Sequence, residues 1–246
     1  DEPASQRHAQ LEALVAPETG IHCPGYFDYG GRRFKCHKHS GHGLMSLRAA
    51  LAASCDVYFY QLALMLGLDN IAHYARDMFG IGERTGIDIP ESAGHMPTEQ
   101  WYRRHHESGL VPGFAINTSV GQGDVLATPI QLARAYAAFV NGGRLMKPRL
   151  VVARRDPATG RETTVEPEVQ RVLDLPPDFV DLVMRGMHDA VNTEIGTAYQ
   201  SRIQELPFSG KTGTAQAHQS RKGVSEEVAV WLQQDHAWFA GYAPAR

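Results

Sequence analysis

Apolar residues are spread unevenly along the chain, and their spacing divides it. Residues 1 to 44 are rich in Gly, His, Lys and Arg and show no sustained period, which predicts a loop-rich region needing some constraint beyond its own core. Helical spacing begins afterwards. Ser46 can cap a helix over Leu47 to Ala53. Ser54 or Asp56 can cap a second, carrying Val57, Phe59, Tyr60, Leu62, Ala63 and Leu66 and stopped by Gly67. The apolar run Val57 to Leu68 lies between Asp56 and Asp69 and is far shorter than the roughly 20 residues a membrane span needs, so it reads as a buried core helix. Asp69 can cap a third helix, with Ile71, Tyr74, Ala75 and Met78 on one face before Gly80. Glycines and prolines break residues 80 to 126 into an extended, loop-dominated segment. Thr128-Pro129 opens another helix with Ile130, Leu132, Ala133, Ala135, Tyr136 and Phe139 apolar, ended by Asn141-Gly142-Gly143.

In the second half, Leu150-Val151-Val152 and Thr163-Thr164-Val165 flank Asp156 to Gly160 as a hairpin. Pro176-Pro177-Asp178 opens a helix through Val191, and Phe208 to Gln216 and His236 to Tyr242 read as strands joined by a polar connection from Ala217 to Gln234. A composition of 43% hydrophobic and 21% charged residues over 246 positions fits a globular protein with a sizeable core and excludes disorder and coiled coil. The net charge of -3 argues against nucleic acid or an anionic bilayer as a partner. Asp1-Glu2-Pro3 has neither the basic nor the apolar part of a signal peptide, so the sequence is either cytoplasmic or a piece of something longer.

All three cysteines, Cys23, Cys36 and Cys55, fall in the first quarter, with His22, His37, His39 and His42 among them. An odd number of clustered Cys with interleaved His fits a four-ligand zinc site better than a disulfide framework, and such a site would order a region too polar to fold by itself. The competing reading is a buried Cys55 plus two loop thiols or one disulfide. Glycines on both sides favour His42 as the fourth ligand over His37 or His39, though composition leaves that choice open.

Ser209 to Gln216 places Lys211, Thr212, Gly213 and Thr214 along a predicted strand. Small residues there let a peptide approach the backbone, while Lys211 and Thr212 offer a cation and a hydroxyl to a carboxylate. A phosphate loop is excluded, because Glu205 stands where its first glycine is needed. About 155 residues upstream, Ser54-Cys55-Asp56 at a helix start could face this strand, Ser54 relaying protons and Asp56 fixing a lysine or a peptide amide. A plain helix cap is the alternative.

Lys-Thr-Gly together with a Ser-x-Asn or Ser-x-Asp element belongs to the signature of penicillin-binding proteins and β-lactamases. The sequence resembles the class B penicillin-binding proteins of the elongation type, penicillin-binding protein 2. The resemblance runs from about residue 11 to 246 through Cys23-Pro24-Gly25-Tyr26, Gly41-His42-Gly43, Ser54 to Tyr60, Thr85-Gly86-Ile87-Asp88, Ser119-Val120-Gly121-Gln122-Gly123, Thr128-Pro129-Ile130-Gln131 and Lys211 to Gln216, in the family's order. It implies an α/β penicillin-binding protein/β-lactamase-like transpeptidase fold, with an antiparallel sheet covered by helices and a mostly helical lobe over about residues 45 to 145. It also implies a periplasmic D,D-transpeptidase that cross-links peptidoglycan through an acyl-serine intermediate and is a β-lactam target. Ser54, Asp56, Lys211 and Thr214 are then the catalytic set. Lys211, Thr212, Gly213 and Thr214 bind the carboxylate of a D-Ala-D-Ala stem peptide or of a β-lactam, and the Thr214 N–H serves the oxyanion hole. A structural zinc in some members has its ligands where Cys23, Cys36, His42 and Cys55 stand, which makes residues 11 to 56 a zinc-stabilised part of the domain.

The family's nucleophile lies in Ser-x-x-Lys about eleven residues before the Leu-Glu-Ala matched at Leu11 to Ala13, which places it ahead of Asp1. Ser5-Gln6-Arg7-His8 has His in place of Lys and sits too close to Leu11 to replace it. The chain is therefore expected to be a transpeptidase domain cut at both ends and inactive as it stands. The rival expectation is a zinc-stabilised remnant that binds peptide without chemistry. The implied partners are a membrane glycosyltransferase of the elongation machinery and its scaffolds at the periplasmic face of the inner membrane, with no nucleic acid.

Overall fold

A computed structural model describes residues 19–216, 225–232 and 234–245. Ser5, His8 and the Leu11 to Ala13 match lie outside the described residues. The chain runs β1 (Ile21–Cys23), β2 (Tyr26–Tyr29), β3 (Arg32–Lys35) and β4 (Gly43–Met45), then α1 (Leu47–Ala53), α2 (Asp56–Leu66) and α3 (Leu68–His73). A wider turn, Tyr74–Met78, extends α3; α4 (Glu99–His105), α5 (Gly113–Ser119) and α6 (Pro129–Val140) complete the helical lobe. The second half holds β5 (Arg144–Met146), β6 (Ala153–Arg155), β7 (Glu162–Thr164), β8 (Val169–Val172), α7 (Pro177–Asn192), β9 (Ser209–Ala215), α8 (Glu226–Leu232) and β10 (His236–Tyr242). Among the described residues every sheet is an antiparallel pair: β1 with β4, β2 with β3, β5 with β8, β6 with β7, and β9 with β10.

Local chemistry accounts for most of these elements. The Ser46 hydroxyl accepts from the Ala49 N–H and starts α1 where the sequence places it. Thr128 and Gln131 form a reciprocal capping box on α6, with Pro129 in its first turn. Four expectations need correction. Gly67 rather than Asp69 holds the cap position of α3, and Asp69 lies in its first turn. Neither Ser54 nor Asp56 caps α2; Cys55 holds the cap position without a side-chain bond, and Asp56 lies in the first turn, where a negative charge suits the helix dipole. Residues 80 to 126 contain two helices, α4 and α5, because Thr98 caps α4 by accepting from the Trp101 N–H and aromatic packing among Trp101, Tyr102 and Phe114 outweighs the weak local signal. The supposed polar connection after Ala217 contains α8. The hairpin around Asp156 to Gly160 forms, with its first strand three residues later than the apolar run indicates.

The main core joins Ile21, Cys23, Phe34, Cys36 and Met45 of the β1 to β4 region to Ala50, Ala53, Cys55, Val57, Tyr58 and Tyr60 of α1 and α2. The broken segment 80–98 is tied down by polar groups. Buried Gln131 donates to the carbonyls of Glu83 and Ala93 at 2.6 and 2.8 Å, and buried Arg134 donates to Gln170 at 2.6 Å. Helix α7 packs against both α1 and β9, and the residue that follows α1 reaches β9. No helix of the described residues is long and apolar enough to cross a membrane.

Candidate active site and metal centre

Helix α1 ends at Ala53, and Ser54 follows in the left-handed region at φ 52°, ψ 49°. It is the one non-glycine residue with positive φ among the described residues. That conformation costs an L-residue about 1–2 kcal/mol and is retained where the surroundings over-determine it. Here it allows the chain to turn from α1 into α2 within two residues while the Ser54 hydroxyl accepts a 2.8 Å hydrogen bond from Lys211 Nζ, 157 positions away. Lys211 also donates to the Thr212 carbonyl at 3.0 Å. Burial pushes the Lys211 ammonium down to about 8, with the Asp56 charge opposing the shift. A lysine so poised beside a hydroxyl can take up or release a proton near neutral pH.

Strand β9 pairs with β10 in the register Thr212 to Phe239 and Thr214 to Ala237. The Thr212 carbonyl is occupied by Lys211 and the Thr214 carbonyl by Gln122 Nε2 at 2.7 Å, so both turn to the edge away from β10. Since N–H and C=O of one strand residue point the same way, the Thr214 N–H faces that edge as well. Gly213 lies between them, opposite Trp238. The Thr212 hydroxyl shares a 2.6 Å hydrogen bond with the Thr197 hydroxyl.

The four metal-ligand candidates converge from separate places. Pairing of Cys23 with Gly43 sets Cys23 beside His42, whose N–H donates to the Cys23 carbonyl at 3.0 Å. The Cys36 N–H donates to the Gly25 carbonyl at 2.9 Å and folds the end of β3 inward. This crossing needs glycine: a Cβ on Gly41 would stand 2.4 Å from the Cys23 carbonyl oxygen, and one on Gly25 2.1 Å from that of His39. Cys55 arrives from the α1–α2 turn. The ligand atoms of Cys23, Cys36, His42 and Cys55 all lie within 4.8 Å of one another, and all three cysteines are buried and free of disulfides. His42 Nδ1 stands 3.6 Å from Cys23 Sγ and 3.5 Å from Cys36 Sγ. The hydrogen bond from Cys55 drives the Cys36 thiol down, and donating that bond, together with burial, drives the Cys55 thiol up.

The site therefore unites Ser54 with Lys211, aligns Thr212 and Thr214 on one edge, and assembles the Cys3His group. Asp56 bonds outside the strand: its carboxylate accepts from the His37 N–H at 2.9 Å and faces His37 Nδ1 at 3.3 Å, while its charge still favours the Lys211 ammonium. His37 Nδ1 also lies 4.0 Å from Cys36 Sγ, farther than His42 Nδ1 at 3.5 Å, so Cys36, His37 and Asp56 form a second cluster beside the Cys3His group. Two residues at the edge escape sequence reasoning. Gln122 carries a signal only as part of the Ser119 to Gly123 motif, and Thr197 carries none, since a lone hydroxyl after a helix is commonplace.

Residues 9–246 match the family model of the penicillin-binding protein transpeptidase domain. The chain is 34% identical to the peptidoglycan D,D-transpeptidase MrdA of Haemophilus influenzae over 96% of its own length and 37% of the relative's. It is 35% identical to that of Acinetobacter baumannii over 94% and 35%. It thus spans little more than a third of these relatives. The crystal structure of Pseudomonas aeruginosa PBP2 in complex with WCK 5153 matches with a TM-score of 0.78 at 30% identity, covering 99% of this chain and 52% of that one. Helicobacter pylori PBP2 in complex with MreC matches at 0.76 and 26%, covering 96% and 41%. On the motifs, the fold and these likenesses, the chain belongs to the penicillin-binding protein transpeptidase domain family.

Proposed function

We propose that the protein containing this chain is a D,D-transpeptidase of cell-wall elongation and cell shape, cross-linking peptidoglycan stem peptides through an acyl-serine intermediate. The observation that carries the reading is the 2.8 Å contact between Ser54 and Lys211, which joins two motifs far apart in sequence into a proton-relaying pair. Lys211 and Thr212 receive the terminal carboxylate of D-Ala-D-Ala or of a β-lactam, and Gly213 leaves the strand open to it. The Thr214 N–H stabilises the oxyanion. Asp56 acts through His37 and the metal-binding turn, as a positioning residue. The acylated serine belongs to a Ser-x-x-Lys element, which none of the 246 residues supplies.

Cys23, Cys36, His42 and Cys55 are the proposed ligands of a structural zinc. Tetrahedral zinc with sulfur at about 2.3 Å and nitrogen at about 2.0 Å sets its ligand atoms about 3.5 Å apart. The S···N separations of 3.5 and 3.6 Å support that assignment. Bound there, zinc supplies a positive charge that accommodates several thiolates and fixes the turn carrying Ser54. The proposed setting is the periplasmic face of the inner membrane, with a glycosyltransferase and scaffolds of the elongation machinery as partners. The likeness to the PBP2–MreC complex and to a peptidoglycan synthase complex that coordinates polymerization and crosslinking, matched at a TM-score of 0.76 and 31% identity, supports these partners.

The test is covalent labelling by a fluorescent penicillin. Full-length protein carrying an in-frame Ser-x-x-Lys ahead of Asp1 is expected to label, and to lose labelling on Ser→Ala at that position and on Lys211→Met. Unlabelled, folded full-length protein overturns the reading. The 246-residue chain is expected to stay unlabelled; labelling abolished by Ser5→Ala would assign the nucleophile to Ser5.

A further inference from the structure

The peptide-reading edge of β9 is closed by the protein itself. Two of its outward carbonyls, those of Thr212 and Thr214, are occupied by Lys211 Nζ and Gln122 Nε2 at 3.0 and 2.7 Å. Lys211 belongs to the strand, whereas Gln122 reaches across from the loop after α5, 92 positions earlier. It sits between Gly121 and Gly123, at φ 71° and 77°, conformations that glycine adopts without strain. The Gly121 N–H bonds to the Thr118 carbonyl and the Gln122 N–H to the Asn117 carbonyl, both at 3.0 Å, so the loop base is fixed to α5. A Cβ on Gly121 would meet nothing within 4 Å, so the loop borders open space at that point.

An extended peptide whose terminal carboxylate lies at Lys211 and Thr212 presents its penultimate N–H about 6–7 Å away, the two-residue repeat of a strand. Thr214 stands two residues beyond Thr212 on the same edge, so its carbonyl is the acceptor that this N–H reaches. Gln122 Nε2 holds that position in the free protein. We propose that Gln122 is a displaceable latch: its side-chain amide stands in for the substrate amide, and productive binding requires the peptide to exchange for it. The inference rests on the peptide-reading role of β9. It assigns Gln122 as a positioning residue that discriminates between a peptide long enough to replace its hydrogen bond and a short carboxylate that is not.

The experiment titrates the 246-residue chain by NMR with two probes, Nα,Nε-diacetyl-L-Lys-D-Ala-D-Ala and N-acetyl-D-alanine, which has a carboxylate but no penultimate N–H. Gln122→Ala is expected to bind the tripeptide about three- to tenfold more tightly, the range of one hydrogen bond no longer broken on binding. N-acetyl-D-alanine affinity should be unchanged. Gln122→Met, which keeps the length and loses the donor, should repeat the gain; a gain in the alanine variant alone assigns the block to bulk and overturns the hydrogen-bonded latch. The latch is also overturned if both probes bind, Lys211→Met weakens both, and Gln122→Ala leaves tripeptide affinity unchanged or lower. If neither probe binds, or Lys211→Met leaves both unaffected, the peptide-reading role of β9 fails and the latch with it.

Discussion

At the scale of single residues, the site is built from groups held in states that cost stability. Lys211 is charged at low pH at a position that disfavours the charge, its folded pKa standing near 8 against an ordinary 10.5. The sign follows from burial of a base: the cost is full below pH 8, fades as pH rises, and is gone above about 10.5. Lys211→Met is therefore expected to be more stable than the parent chain at pH 7, by up to about 3 kcal/mol. That advantage should shrink between pH 8 and 10.5 in urea titrations run in parallel. A gap independent of pH would show that the ammonium carries no burial cost. Ser54 is strained differently, through its left-handed backbone. Ser54→Gly removes the strain and is expected to raise stability by about 1 kcal/mol while removing the acceptor of Lys211. A fall in melting temperature would mean that the hydroxyl contact outweighs the strain.

Between elements, the decisive interface is that of α1 with α7, because it sets the distance from Ser54 to β9. Gly186 on α7 lies so close to α1 that an added Cβ would stand 2.9 Å from the Leu51 Cβ. Across the same interface Arg48 forms a two-pronged ion pair with Asp189 at 2.6 and 3.0 Å, its carboxylate largely shielded from solvent. Gly186→Val is expected to force the helices apart, costing about 1–3 kcal/mol by chemical denaturation. It should also weaken tripeptide binding, since β9 packs against the same helix. Unchanged binding in a destabilised variant would show that the Ser54 to Lys211 contact is set elsewhere. The helix caps in this region were legible from single residues: Ser46 and Thr128 start their helices where their hydroxyls predict. Helices α4 and α8 were not, because a Gly- and Pro-broken or polar stretch becomes helical only when packing favours it.

Across the whole molecule, the three cysteines of the Cys3His cluster belong to the largest core, with half-buried His42 beside them, so the metal proposal has consequences for folding. The purified chain is expected to carry about one zinc by elemental analysis and to lose it on Cys55→Ser. Chelation should lower the melting temperature and expose amides of residues 19–56 to hydrogen exchange before those of α6. Stability indifferent to chelator and to Cys55→Ser would leave three buried thiols packed as small apolar residues.

The sequence alone determined the chemistry available: the Lys-Thr-Gly strand, the Ser-Cys-Asp turn and the three cysteines with His42 are local patterns, readable because each is a few residues long and carries its own donors and acceptors. It also determined the helices whose caps and apolar period agree. Tertiary structure decided the partners. Cys55 rather than Ser54 or Asp56 caps α2, Asp56 turns to His37, and Gln122 and Thr197 meet the strand. The contacts of Gln122 and Thr197 depend on how the segments around β9 pack, and those of Cys55 and Asp56 on how the β1 to β4 region packs against α1 and α2. A side chain's type is written in the chain, but the neighbour that satisfies it is chosen by packing between segments far apart in sequence.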